Sequence, residues 1–179
     1  MLRGTRSRRW VISVLAASTA GAGCTAFGRD FTKPDPYTCG SDLQPYSRDV
    51  DRVVTSEAHG LDLQSERDTY EMGETLRVSI TNVSDESTGT GTLGKYSIQR
   101  REGDEWVDLL YKEKLDFSTV AHQFPPGHSE TYTFEISNDG LDQTNHRLCT
   151  EIRPGNYRFG FFGISTPAIA TEFEIVATD

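Results

Sequence analysis

The chain has 179 residues, with 27 acidic side chains against 18 basic ones, a net charge of −9, 35% hydrophobic residues and 10% aromatics. That length holds one domain with extensions and excludes a large multidomain enzyme, and the acidic balance leaves no basic surface with which to displace counterions from nucleic-acid phosphates. Sixteen Gly and seven Pro in so aromatic a chain describe turn-rich globular structure rather than disorder.

The first element in chain order is an address. Met1 to Cys24 carries Arg3, Arg6, Arg8 and Arg9 and no acidic residue. The apolar run from Trp10 to Ala20 is shorter than the roughly 20 residues that a helix needs to cross about 30 Å of hydrocarbon. A basic start, a short apolar middle and the small residues Ala20-Gly21-Ala22-Gly23 describe an export signal over residues 1–23, the alternative being a buried helix of the domain. Ser7-Arg8-Arg9-Trp10-Val11-Ile12 resembles the twin-arginine signal, which implies export of an already folded protein. Gly23-Cys24 resembles a lipobox, with Gly21 where such sites usually carry a larger apolar residue. That resemblance implies a lipid on the Cys24 thiol and residence on the outer face of the cell membrane; ordinary cleavage at a small-residue site is the alternative.

Loss of residues 1–23 removes four arginines and no acid, so the net charge of −9 becomes −13. Only Lys33, Lys95, Lys112 and Lys114 are lysines. So acidic a surface repels itself in dilute buffer, whereas at molar salt the screening length falls to about 3 Å. With the twin-arginine pattern, this composition resembles the secreted proteins of halophilic archaea. An ordinary acidic extracellular protein is the alternative.

Residues 24–53 are rich in Pro, Asp, Ser and Gly (Lys33-Pro34-Asp35-Pro36, Cys39-Gly40-Ser41-Asp42) and read as a flexible, disordered tether. From residue 54 to 179 the pattern alternates as strands do. Leu61 and Leu63 form a weak pair. Leu76, Val78 and Ile80 share one face, as do Tyr96 and Ile98. Trp106 to Tyr111 and Phe117 to Phe124 are further candidates. Tyr132, Phe134 and Ile136 share a face, then Tyr157, Phe159 and Phe161, then Ile169, Phe173 and Ile175. Turns separate them at Glu71-Met72-Gly73, Arg101-Glu102-Gly103-Asp104, Pro125-Pro126-Gly127, Asn138-Asp139-Gly140 and Pro154-Gly155. Roughly seven to nine short strands, each apolar on one face, must bury those faces against one another, which predicts an all-β antiparallel sandwich.

Tyr70-Glu71-Met72-Gly73-Glu74, the strand ending at Ile80-Thr81-Asn82, Trp106, Pro126-Gly127-His128-Ser129-Glu130, and Ile152-Arg153-Pro154-Gly155-Asn156-Tyr157-Arg158 together resemble bacterial Ig-like domains over residues 54–179. Such domains are often carried on secreted lipoproteins. The resemblance implies an Ig-like sandwich and gives Tyr157 the part of a tyrosine corner, its hydroxyl bonded to upstream backbone. The Ig-type disulfide between sheets is absent, since no cysteine lies between Cys39 and Cys149. The core is therefore expected to rest on packing around Trp106 and the Phe and Tyr faces.

Three cysteines are accounted for if Cys24 is lipidated and Cys39 pairs with Cys149; two free thiols are the alternative. The bridge would close a loop of about 110 residues, for which chain-entropy models give at most about 4–5 kcal/mol.

The familiar chemical signatures fail on context. Gly89-Thr90-Gly91-Thr92-Leu93-Gly94 spells a dinucleotide loop, but a strand pattern follows where a helix is required. No His or Met follows Cys149 as a blue-copper site demands, and HExxH, GxSxG and CxxC are missing. His59, His122 and His128 read as scattered, solvated residues. Asn138, Asp139, Asp142 and Asn145 put oxygen donors into one loop, as a calcium site or, more simply, as a solvated acidic turn. Asn82-Val83-Ser84 is a glycosylation sequon at a strand end. Phe162, Ile164 and Pro167 mark an apolar loop that either touches a partner or covers the end of the core.

The reading that emerges is a monomeric, lipid-anchored, extracellular Ig-like module with a non-catalytic binding or structural role. Its partner is an unidentified protein or cell-surface component. No cofactor, metal or nucleic acid is expected. A protease-inhibitor-like module and an enzyme with a dispersed site are the rival readings.

Overall fold

Alternation decides the architecture. In the stretch Thr75–Asn82, Leu76, Val78 and Ile80 are buried while Thr75 and Arg77 face water, so this strand needs an apolar layer on one side only. The computed structural model describes residues 40, 42–45, 47, 52–113, 122–142 and 145–178, all within the unit Thr32–Asp179. The twin-arginine pair Arg8 and Arg9, the lipidation candidate Cys24 and the bridging candidate Cys39 lie outside the described residues.

The elements in chain order are β1 (Val53–Thr55), β2 (Glu57–Ala58), β3 (Leu61–Ser65), β4 (Thr69–Glu71), β5 (Thr75–Asn82), β6 (Thr88–Thr90) and β7 (Tyr96–Glu102). Then come β8 (Glu105–Asp108), β9 (Leu110–Tyr111), β10 (His122–Phe124), β11 (Ser129–Glu135), α1 (Asn138–Leu141), β12 (Arg147–Leu148), β13 (Gly155–Phe161) and β14 (Ala168–Val176). One sheet runs β1-β14-β13-β7-β8 with β4 also on β14, and the facing sheet runs β11-β5-β3-β2. Two short ribbons, β6 with β10 and β9 with β12, complete the fold. The sequence-predicted all-β sandwich is the observed class. Its strands are broken into more and shorter pieces than the alternation alone marks. Two pairings depart from the antiparallel rule, since β1 and β4 both run parallel to β14.

The core lies between the two sheets. Leu61, Leu63, Leu76, Val78, Ile80 and Phe134 meet Tyr96, Ile98, Tyr157, Phe159, Phe161 and Ile169 there. Phe159 is its aromatic hub, stacked on Tyr96 at 5.2 Å and tilted against Tyr132 at 4.8 Å and Phe134 at 6.0 Å. Each such ring contributes about 1.5–3 kcal/mol by burial and about 1 kcal/mol more from ring geometry. Trp106, expected at the centre, is half-buried on the outer face of the larger sheet. Its ring carries the Arg158 guanidinium at 4.7 Å and that of Arg101 at 5.9 Å. The reason is parity: Trp106 pairs with Arg101, whose alternation partners Ile98 and Tyr96 stand one residue out of phase and point inward.

Other local readings are redrawn by the structure. Asn138-Asp139-Gly140 is a single helical turn rather than an open one, with the Ser137 hydroxyl accepting the Gly140 N–H at 3.0 Å as N-cap. The glycine run that spells a dinucleotide loop begins inside β6, and Gly91 N–H donates to the Gly163 carbonyl at 2.6 Å. The later part of the 24–53 stretch, read as a flexible tether, is docked where it is described: Gln44 bridges to Lys112 through two backbone bonds of 2.8 and 3.0 Å.

Candidate functional site

Polar chemistry gathers at three places, and each depends on a strand position that alternation placed on a face without saying what covers it. The first is the outer face of the larger sheet. Ser97 and Gln99 alternate with the core residues of β7 and yet are fully buried. The Asp108 carboxylate, opposite Gln99 on β8, accepts from the Ser97 hydroxyl at 2.6 Å and the Gln99 amide at 3.1 Å on one oxygen. Its other oxygen accepts from the Ser47 hydroxyl. Gln99 accepts in turn from Arg158 Nε at 2.5 Å.

Burial pushes the Asp108 carboxyl above its usual range, against the pull of the Ser47, Ser97 and Gln99 donors and of the Arg158 charge. Burial also pulls the Arg158 guanidinium down, opposed by Asp108 and Glu172. Asp108 is met by two hydroxyls and one amide, and the arrangement fastens residue 47 to the sheet.

The second is the corner before β13. The Tyr157 hydroxyl donates to the Arg153 carbonyl at 2.5 Å and accepts the Arg153 N–H at 3.2 Å, with the ring fully buried. Beside it Arg100, paired with Tyr157 across β7 and β13, binds Glu102 through two guanidinium nitrogens and the Glu151 carbonyl at 3.2 Å. Arg153 adds a third contact to Glu102 at 2.9 Å. The sequence marked Tyr157 through its Pro-Gly turn but gave no sign of the buried Arg100.

The third is the turn between β10 and β11, two strands that pair with β6 and β5 respectively. His122 and His128, read from the sequence as scattered, solvated residues, converge there with Glu130. Glu130 Oε1 stands 3.1 Å from His128 Nε2 and 3.7 Å from His122 Nε2. Both imidazoles pack edge-on to the buried ring of Phe124, at 5.5 Å for His122 and 5.3 Å for His128. A sequence signal existed: Glu130 has the parity of Tyr132 and Phe134, so a charge falls on the inward face of β11.

The remaining candidates are placed as follows. Asn82 is fully buried and cannot carry a glycan in the folded domain, because both Nδ2 hydrogens are engaged, to the carbonyls of Glu86 and Phe124 at 2.7 Å each. Phe162 is 8% exposed in a small cluster with Ala168 and Val53, and Ile164 packs on the main core. Pro167 is half-buried. The loop thus closes the end of the core, and no apolar recognition surface stands there. Gly163 is required for that closure, since a Cβ there would lie 2.3 Å from the Phe161 ring. In the acidic turn, Asn138 accepts from Ile152 N–H at 3.0 Å, while Asp142 accepts from Leu148 N–H at 3.3 Å and faces Arg147 at 3.7 Å. Those oxygens serve the turn itself. Cys149 N–H donates to the Leu109 carbonyl at 2.9 Å, which places this cysteine beside β9.

The model of the bacterial Ig-like domain family matches residues 57–161. No curated protein matches the chain. Among solved structures, a β-glucosidase from Erythrobacter marinus is 18% identical with a TM-score of 0.35, over 65% of this chain and 15% of that one. A β-glucosidase from Listeria innocua is 17% identical with a TM-score of 0.33, over 66% of this chain and 16% of that one. The sporulation control protein Spo0M from Bacillus subtilis is 15% identical with a TM-score of 0.33, over 66% of this chain and 49% of that one. The chain thus spans less than a fifth of the glucosidases, and likenesses at such TM-scores carry no weight for its function.

Proposed function

Since the chain belongs to the bacterial Ig-like domain family, we propose that it is a lipid-anchored module on the outer face of the cell membrane with a non-catalytic binding or structural role. The observation that carries the reading is the way the N-terminal lead is pinned to the sandwich. Gln44 bridges to Lys112 at the end of β9 and Ser47 bonds to Asp108 on β8, so a load on the lead reaches the short ribbon and the larger sheet through half-buried polar contacts. Support also comes from the sequence: the twin-arginine pattern at Arg8-Arg9, the Gly23-Cys24 lipobox and the strongly acidic remainder.

In this reading Cys39 bridges to Cys149. Gln44 lies on Lys112 at the end of β9, and Cys149 follows β12, the partner of β9, so the lead and Cys149 approach the same ribbon. The acidic surface suits a saline exterior, where screening removes its self-repulsion.

The deciding experiment is mass spectrometry of the protein extracted from membranes. A diacylglyceryl group on Cys24, with release into the medium by Cys24→Ser, is the expected result. An unmodified Cys24 in a product recovered from the cytoplasm would sink the proposal.

A further inference from the structure

We propose that His122, His128 and Glu130 form a binding site for one divalent transition-metal ion of the Zn2+ type. Their ligand atoms all lie within 4.8 Å of one another, and two of the three separations are 3.1 and 3.7 Å. Ligands bound at about 2.0–2.1 Å in a tetrahedral shell stand about 3.3 Å apart, close to the two separations between Glu130 and the imidazoles. Two imidazoles and one carboxylate are the donors that borderline cations prefer, whereas calcium and magnesium would seek an oxygen-only shell.

The scaffold that holds these donors is stiff, which keeps the ordering cost of binding low. His122 opens β10 and Glu130 lies one residue into β11, while His128 stands in the turn between them. Gly127, at φ +74°, makes that turn. Its N–H donates to the Asn82 carbonyl at 2.9 Å, His128 N–H donates to the Pro125 carbonyl at 3.0 Å, and Asn82 N–H donates to the His128 carbonyl at 2.9 Å. The Phe124 ring, fully buried, supplies an apolar floor against both imidazoles. The three side chains keep 42%, 41% and 38% of their surface open to solvent, which gives an ion a way in and leaves a coordination position for water or for a donor from another molecule.

The test is calorimetric titration of the folded full chain with Zn2+, together with visible absorption after loading with Co2+. The expected result is one ion per chain and Co2+ bands of a four- or five-coordinate N/O site. His122→Ala, His128→Ala and Glu130→Gln should each weaken binding at least 10-fold. His59→Asn, at an exposed histidine with φ +57° that Asn tolerates, should leave it unchanged. Circular dichroism checks that each variant folds, and Glu130→Gln, which keeps the shape and a hydrogen bond to His128, covers the case in which a histidine variant does not. Absence of saturable binding, or binding that survives all three ligand substitutions, would overturn the proposal.

Discussion

Asn82, at the end of β5, donates one Nδ2 hydrogen to the carbonyl of Phe124, at the end of β10, across 2.7 Å and 42 residues of chain. The same amide donates to Glu86, and its Oδ1 accepts the Ser84 N–H at 2.9 Å and hydroxyl at 2.7 Å. One side chain thus holds the turn after β5 and the end of β10 together.

Asn82→Ala would remove a buried donor to the Phe124 carbonyl, a second donor to Glu86 and the acceptor of the Ser84 N–H, and should cost about 3 kcal/mol in denaturant unfolding. In protein recovered after export, the peptide containing Asn82 should have its unmodified mass. A glycan at that position would mean that the side chain is exposed when modified.

Tyr157→Phe deletes one hydroxyl that serves both backbone groups of Arg153. The ring still fills its place, so the loss should be about 1–2 kcal/mol, without the cavity that Tyr157→Ala would create. An unchanged denaturation midpoint would reduce Tyr157 to packing alone.

Phe162→Ala tests the role of the apolar loop. With the ring buried over Gly160 and beside Ala168 and Val53, truncation should lower stability by about 3 kcal/mol. A variant as stable as the parent would return Phe162 to the surface.

His146 makes stability depend on pH. It is buried and stacked on Tyr96 at 4.3 Å. Burial, then the Lys112 charge, pushes its pKa down from 6.5 to about 4, against hydrogen bonds with the Gly94 and Tyr96 backbone. Between those values the unfolded chain binds a proton that the folded chain refuses. Stability is therefore full above pH 6.5 and falls as the pH drops towards 4, by roughly 3 kcal/mol if the whole shift is realised. Denaturation midpoints measured from pH 7.5 to 4 should show this slope, and His146→Gln should flatten it.

Alternation identified the inward faces because each strand has a period of two and one sheet must cover another. Leu76, Val78 and Ile80, and likewise Tyr157, Phe159 and Phe161, are buried as the pattern requires. What escaped was the state of the opposite face. Ser97 and Gln99 carry the pattern of solvent-facing residues but lie beneath Asp108 and Arg158, and Asp108 is met by Ser47 from 61 residues away. Trp106 was expected in the core from the Ig-like resemblance, yet its parity put it outside with two arginines.

The order of residues alone determined that this chain makes a sandwich and where its turns fall. Those features follow from periodicity and from local turn chemistry, which act over a few residues. Only the tertiary structure decided that Asn82 is buried, that the lead is fastened at Ser47, and that His122, His128 and Glu130 converge. Each depends on which distant segment a strand end meets, and sheet pairing sets that through contacts the local pattern does not carry.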